Sequence, residues 1–89
     1  MKWTIELSEQ ALRDVDKLDP QARRRVDGFL YRRLAGSENP RTLGGALHGS
    51  QLGEYWKYRV GDYRLICKIE DNHLVVLVIR VGHRRNINR

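Results

Sequence analysis

The 89-residue chain predicts an α+β domain in the order β-α-α-β-β-β, an antiparallel sheet packed on a helical hairpin. Three observations predict it: strict alternation at the amino terminus, two capped amphipathic stripes after it, and three later runs of aromatic and β-branched residues. A chain this short buries only roughly 60–65% of its unfolded surface, so its core must be compact. With 40% hydrophobic and 31% charged residues the composition is globular, and one domain over residues 1–89 is expected.

Residues 2–7 alternate as Lys2, Trp3, Thr4, Ile5, Glu6 and Leu7, which turns Trp3, Ile5 and Leu7 inward on a strand. Ser8 reads as a helix N-cap with Glu9 adding favourable charge to the first turn. Ala11, Leu12, Val15 and Leu18 form the apolar stripe of that helix. Asp19 caps a second helix, and Pro20 occupies its first turn, where a missing N–H costs nothing. Its stripe is Ala22, Val26, Phe29, Leu30 and Leu34, with Gly36 as the stop. The run Arg23, Arg24, Arg25 falls on the outer, solvated face. Residues 37–53, with Pro40 and four glycines, form the long loop.

Strands are expected over 55–60, 63–69 and 74–81. Gly61-Asp62 suits a type II′ hairpin turn and fixes the register: Val60 faces Tyr63, Arg59 faces Arg64, Tyr58 faces Leu65, Lys57 faces Ile66 and Trp56 faces Cys67. One face then collects Trp56, Tyr58, Val60, Tyr63, Leu65 and Cys67 for the helices to cover. The other collects Tyr55, Lys57, Arg59, Arg64 and Ile66, with the Arg64 side chain in an open groove. A three-residue connection, 71–73, pairs Leu65 with Ile79 and Arg64 with Arg80. That register sends Val75, Leu77 and Ile79 to the core and Arg80 to the basic face. The end segment His83-Arg84-Arg85 folds over the rim of that face.

Seventeen Lys and Arg against eleven Asp and Glu leave a net charge of +6, which favours polyanionic partners: nucleic acid, an anionic membrane or an acidic protein. No apolar run has the length of a bilayer span and no signal-peptide order opens the chain, so a cytoplasmic protein is expected. The lone Cys67 makes no internal disulfide, and no Cys/His spacing fits zinc, so neither metal nor cofactor is expected. Like charges facing one another across a hairpin repel. With few acidic residues in these strands, the basic face reads as a site held ready for an anion. Guanidinium groups bind phosphate through two parallel hydrogen bonds and keep their charge near neutrality.

The segments Trp56-Lys57-Tyr58-Arg59-Val60-Gly61-Asp62-Tyr63-Arg64 and Val81-Gly82-His83-Arg84-Arg85 closely resemble the RelE branch of the RelE/ParE toxins, and the order of elements extends the resemblance over essentially the whole chain. The resemblance implies a type II toxin that enters the ribosomal A site and cuts messenger RNA without metal, the RNA 2′-hydroxyl attacking the adjacent phosphate. It places Lys57 and Arg59 at the family's basic pair and Arg64 and Arg84 at its phosphate-contacting arginines. Lys57, crowded by like charge, is a candidate proton acceptor, and His83 is the other proton-exchanging candidate. Tyr55, Arg80 and Arg85 are expected to bind RNA around them. Many relatives carry a late tyrosine where this chain has Asn88, so Tyr55 is left as the stacking residue.

The partners so implied are a RelB-like antitoxin, the 70S ribosome with mRNA and 16S rRNA contacts, and operator DNA through the antitoxin complex alone; no membrane is implied. Two alternatives stay open: a ParE-like inhibitor of DNA gyrase, and an impaired toxin that only binds its antitoxin.

Overall fold

The computed structural model describes residues 2–47 and 55–87; His48 and Asn88 lie outside the described residues. The first strand, β1 (Thr4–Leu7), leads through Ser8 into α1 (Glu9–Asp16), and the Ser8 hydroxyl accepts the Ala11 N–H at 3.1 Å. Asp19 caps α2 (Pro20–Gly28) in the same way, accepting from the Ala22 N–H at 2.7 Å. Each cap satisfies a donor that a helix start otherwise leaves orphaned.

α2 runs on without a break into a π-helical segment, Phe29–Leu34, closed by the Ala35 N–H on the Leu30 carbonyl at 3.0 Å. The wider turn lets Phe29, Leu30, Leu34 and Ala35 all stay buried. Its end is stitched to the start of β1, since the N–H groups of Lys2 and Trp3 both donate to the Ala35 carbonyl at 3.0 Å.

The long loop carries a 3₁₀ turn (Pro40–Leu43) and a two-residue strand, β2 (Gly45–Ala46). Then come β3 (Tyr55–Val60), β4 (Tyr63–Glu70), β5 (Val75–His83) and a single helical turn, α3 (Arg84–Ile87). The five strands lie in the order β1-β5-β4-β3-β2. β1 runs parallel to β5 and every other pair is antiparallel, so the expected antiparallel sheet gains a parallel edge strand and the short β2.

Helices cover one face. Val15, Val26, Leu30 and Leu34 meet Tyr58, Leu65, Cys67, Val76 and Val78, all essentially without solvent contact, each aliphatic side chain contributing roughly 1.5–3 kcal/mol by burial. The Phe29 and Tyr58 rings pack at 5.4 Å with planes tilted by 54°. Leu12, expected inward, is 53% exposed; α1 buries Ala11 and Val15 as expected, with Asp14 beside them in place of Leu12.

The hairpin about Gly61 has the expected register at every pair from Val60–Tyr63 to Trp56–Cys67. Gly61 adopts φ +59°, the backbone state that the first position of a type II′ turn requires. β5 differs. The expected pairs Leu65–Ile79 and Arg64–Arg80 are replaced by Leu65–Val81 and Arg64–Gly82.

Two single-residue offsets produce this change. First, the connection after Glu70 holds four residues, because Leu74 closes the 3₁₀ turn in the left-handed region at φ 53°. That inverts the start of β5, so Val76 and Val78 enter the core while Leu77 and Ile79 stay half-exposed. Second, a bulge opposite Ile66 and Cys67 skips Ile79 and restores the original alternation. Val81 therefore returns to the core and Arg80, opposite Ile66, reaches the basic face as expected.

Candidate functional site

The uncovered face owes its geometry to the loop packed beside β3. Gly44 lies so close to that strand that an added Cβ would meet the Lys57 carbonyl oxygen and, at 2.6 Å, Cδ1 of Tyr58. The Tyr58 hydroxyl donates to the Pro40 carbonyl at 2.8 Å, and burial pushes its pKa far upward. Trp56 Nε1 donates to the Arg41 carbonyl at 3.1 Å. Arg41 in turn forks onto Asp71 at 2.8 and 2.9 Å, and that hydrogen bonding holds the Asp71 carboxyl below its usual range. The loop is thereby fastened both to β3 and to the β4–β5 connection.

On that scaffold, alternation along β3 and β4 places Tyr55, Lys57, Arg59, Arg64 and Ile66 on one face. Lys57 is half-buried between Gly45 and Ile66, while Arg59 is exposed opposite Arg64. Arg64 corrects an expectation. Its side chain is not open to a groove: the residue is 6% exposed, with Nη1 donating to the carbonyls of Gly61 at 3.2 Å and Tyr63 at 3.1 Å. Its Nε is buried without a partner, and no carboxylate pairs with it among the described residues.

The end segment closes the rim of this face. The Arg84 N–H donates to the Asp62 carbonyl at 2.8 Å, and its Nε stands 3.9 Å from the Asp62 carboxylate, so Arg84 is held at the hairpin turn next to the Arg59–Arg64 pair. His83 pairs with Tyr63, whose alternation is that of the helix-covered face, and the two rings meet edge to face at 5.6 Å. Its Nδ1 accepts the Arg85 N–H at 3.2 Å, which starts α3 and leaves Arg85 exposed.

One residue escaped the sequence reading. β1 ends opposite Val78, and α1 satisfies the edge of β5 beyond it: the Ser8 hydroxyl donates to the Ile79 carbonyl, and Asp14 Oδ2 accepts both the Val81 N–H and Arg80 Nε, all at 2.9 Å. Burial alone would raise the Asp14 pKa, but hydrogen bonds from Arg80, Val81 and Gln10 more than offset it and hold the carboxyl below its ordinary value. The signal was present, since Asp14 interrupts the Ala11–Val15–Leu18 stripe with an acid.

Between α1 and the uncovered face lies a groove of about 630 Å³ reached by Tyr55, Ile66, Ile79, Arg80, His83 and Leu18. Among the described residues no cluster of acidic, His and Cys side chains could hold a metal ion, and no helix is long and apolar enough to cross a membrane.

A mixed sheet with this basic face, backed by two helices, defines a class. The model for the ParE toxin of type II toxin–antitoxin systems matches residues 5–88, and the chain belongs to the type II toxins of the RelE/ParE superfamily. Within it, the chain is 35% identical to Toxin RelG of Mycobacterium tuberculosis (strain ATCC 25618 / H37Rv) over 89 residues, covering 100% of this chain and 99% of that protein. The RelBE2 toxin–antitoxin complex of M. tuberculosis contains a chain matched with a TM-score of 0.84 at 33% identity, covering 94% of this chain and 100% of that one. The isolated RelE toxin of E. coli matches with a TM-score of 0.73 at 25% identity, covering 91% and 83%.

Proposed function

We propose that this toxin is a metal-independent endoribonuclease that cuts mRNA in the ribosomal A site and so inhibits translation. The observation that carries the reading is the hairpin register, which aligns Lys57, Arg59 and Arg64 on one sheet face with Arg84 fixed at its rim. Cutting RNA by its own 2′-hydroxyl demands alignment of the nucleophile, charge to stabilise the phosphorane, and a proton for the leaving 5′-oxygen. Arg59 and Arg84 supply exposed, permanent charge. Arg64, held by the turn carbonyls, adds fixed positive charge beneath them, preorganised because it needs no rearrangement when the transition state forms. Proton transfer falls to Lys57 and His83. Tyr55, Arg80 and Arg85 surround this centre as RNA-binding residues.

A RelB-like antitoxin is the natural partner of such a surface: RelB-type antitoxins accompany the toxins in related complexes, and an acidic segment complements the net charge of +6. Contact with operator DNA would then run through that complex, in the cytoplasm. The ParE description of the matching family favours a second reading, inhibition of DNA gyrase, because one fold serves both activities. Programmed ribosomes incubated with the protein and mapped by primer extension should show cuts within the A-site codon, while a parallel supercoiling assay shows gyrase unaffected. Intact mRNA with inhibited supercoiling would reverse the assignment.

A further inference from the structure

We propose that Asp14 is a positioning residue that aims Arg80 as a second phosphate anchor, so that the groove between α1 and the sheet seats one RNA nucleotide beside the cutting centre. This inference rests on the RNA reading above and adds a subsite to it.

The argument begins with an asymmetry within the ion pair. Asp14's side chain is 7% exposed and Arg80's is 51% exposed, so the carboxylate is inside the fold while the guanidinium reaches out of it. Asp14 is itself immobilised: Oδ1 accepts from Gln10 Nε2 at 3.0 Å, and Oδ2 accepts from the Val81 N–H as well as from Arg80. Among the described residues, Arg80 is engaged through Nε alone. The Nη1/Nη2 edge makes no hydrogen bond among the described residues, and that edge is the planar fork that matches two phosphate oxygens.

An isolated surface arginine loses rotamer freedom on binding, whereas this one is pre-set by a buried carboxylate. The surroundings specify the ligand. Ile66 and Ile79 line the groove with apolar surface, Tyr55 adds an aromatic ring, and Arg80 supplies permanent charge at its edge. A base stacked on that ring with its phosphate on the fork uses all of them. Ile66 pairs with Lys57 on one side and with Arg80 on the other. Their backbones thus stand two strand spacings apart, roughly 9–10 Å, so that the two side chains rise from opposite sides of Ile66 and can hold separate phosphates.

The test uses the full-length toxin and a short 2′-O-methyl oligoribonucleotide, which lacks the attacking hydroxyl and cannot be cut, with affinity read by fluorescence anisotropy across a salt series. Arg80→Gln should weaken binding about tenfold and lower the salt slope by about one. Asp14→Asn keeps an oxygen for Nε and Val81, removes one negative charge, and should bind at least as tightly as the parent. Asp14→Ala removes the same charge but also the aim, and should bind several-fold more weakly; the double variant with Arg80→Gln should be no weaker than Arg80→Gln alone.

If Asp14→Ala is poorly folded, Arg80→Lys tests whether an aimed fork or charge alone holds the phosphate: it keeps the charge without the fork and should weaken binding while preserving the salt slope, and binding as tight as the parent's would overturn the proposal. Equal tightening by Asp14→Asn and Asp14→Ala, or no effect of Arg80→Gln, would overturn the proposal. So would an acidic peptide whose binding depends on Arg80 while the oligonucleotide's does not. Since the probe is never cut, absence of ribosomal cleavage with this pattern intact would refute the nuclease reading and leave the subsite standing.

Discussion

Replacing Arg64 by methionine should make the toxin more stable and less active. The stabilising side of Arg64 is two hydrogen bonds from one Nη1, at 3.2 and 3.1 Å. Those are long for N–H to O, so each sits near the lower end of the roughly 1.5–3 kcal/mol typical of a charged donor. Against them stands a cation desolvated to 6% exposure with no carboxylate pairing it among the described residues, a penalty of several kcal/mol, and a buried Nε without a partner worth about 1–3 kcal/mol more. Methionine keeps most of the length and adds favourable apolar burial. Because the Gly61 and Tyr63 carbonyls then lose a donor, the difference falls at the low end of these ranges, about 1–2 kcal/mol in favour of methionine, and in a domain of this size each kcal/mol moves Tm by about 4–8 °C. Circular dichroism melts at neutral pH, paired with urea midpoints, read this directly, while cleavage on programmed ribosomes should fall steeply. A lower Tm for Arg64→Met would refute the reasoning, because it would mean that the turn carbonyls compensate the buried charge in full.

Four further outcomes are expected. Tyr58→Phe strands the Pro40 carbonyl and should lower stability by about 1 kcal/mol, seen as a fall in the urea midpoint at constant slope. Gly44→Ala drives a methyl against the β3 backbone and should cost about 1–3 kcal/mol, with faster amide exchange at Lys57 than in the parent. Asp14, whose folded pKa lies below its unfolded value of about 3.9, contributes stability above that pH and loses it as pH falls towards the folded pKa. Asp14→Asn should therefore flatten the acid limb of a Tm-against-pH curve below about pH 4, and an unaltered limb would refute the linkage. His83→Gln should slow single-turnover cutting and change its dependence on pH; an unchanged rate and profile would leave proton transfer to Lys57.

How far the sequence could be read depended on whether local chemistry or tertiary context decided each feature. Ser8, Asp19-Pro20 and Gly61-Asp62 act within a few residues of themselves, and the helix starts and the hairpin register follow from them directly. Leu74 in a left-handed conformation has no such signature, because glycine or asparagine ordinarily occupies that state. The connection was therefore read one residue short. The bulge at Ile79 was equally silent, yet its offset restored the alternation, which is why Arg80's face was correct although its partner was not. Alternation assigns a face but not what covers it, so Arg64 was placed on the right side of the sheet and at the wrong depth. Asp14 was overlooked because its bonds run to a strand more than sixty residues away.

The skipped residue of β5 has a consequence for how this protein tolerates change in length. Deleting Ile79 would leave an uninterrupted ladder in which every inward and outward neighbour keeps its side, so the shorter chain is the one that simple strand geometry prefers. What such a deletion takes away is one aliphatic wall of the groove and the carbonyl that anchors the start of α1. The extra residue thus belongs to the cleft and its entrance more than to the architecture, and a shortened toxin should keep its shape while losing its grip.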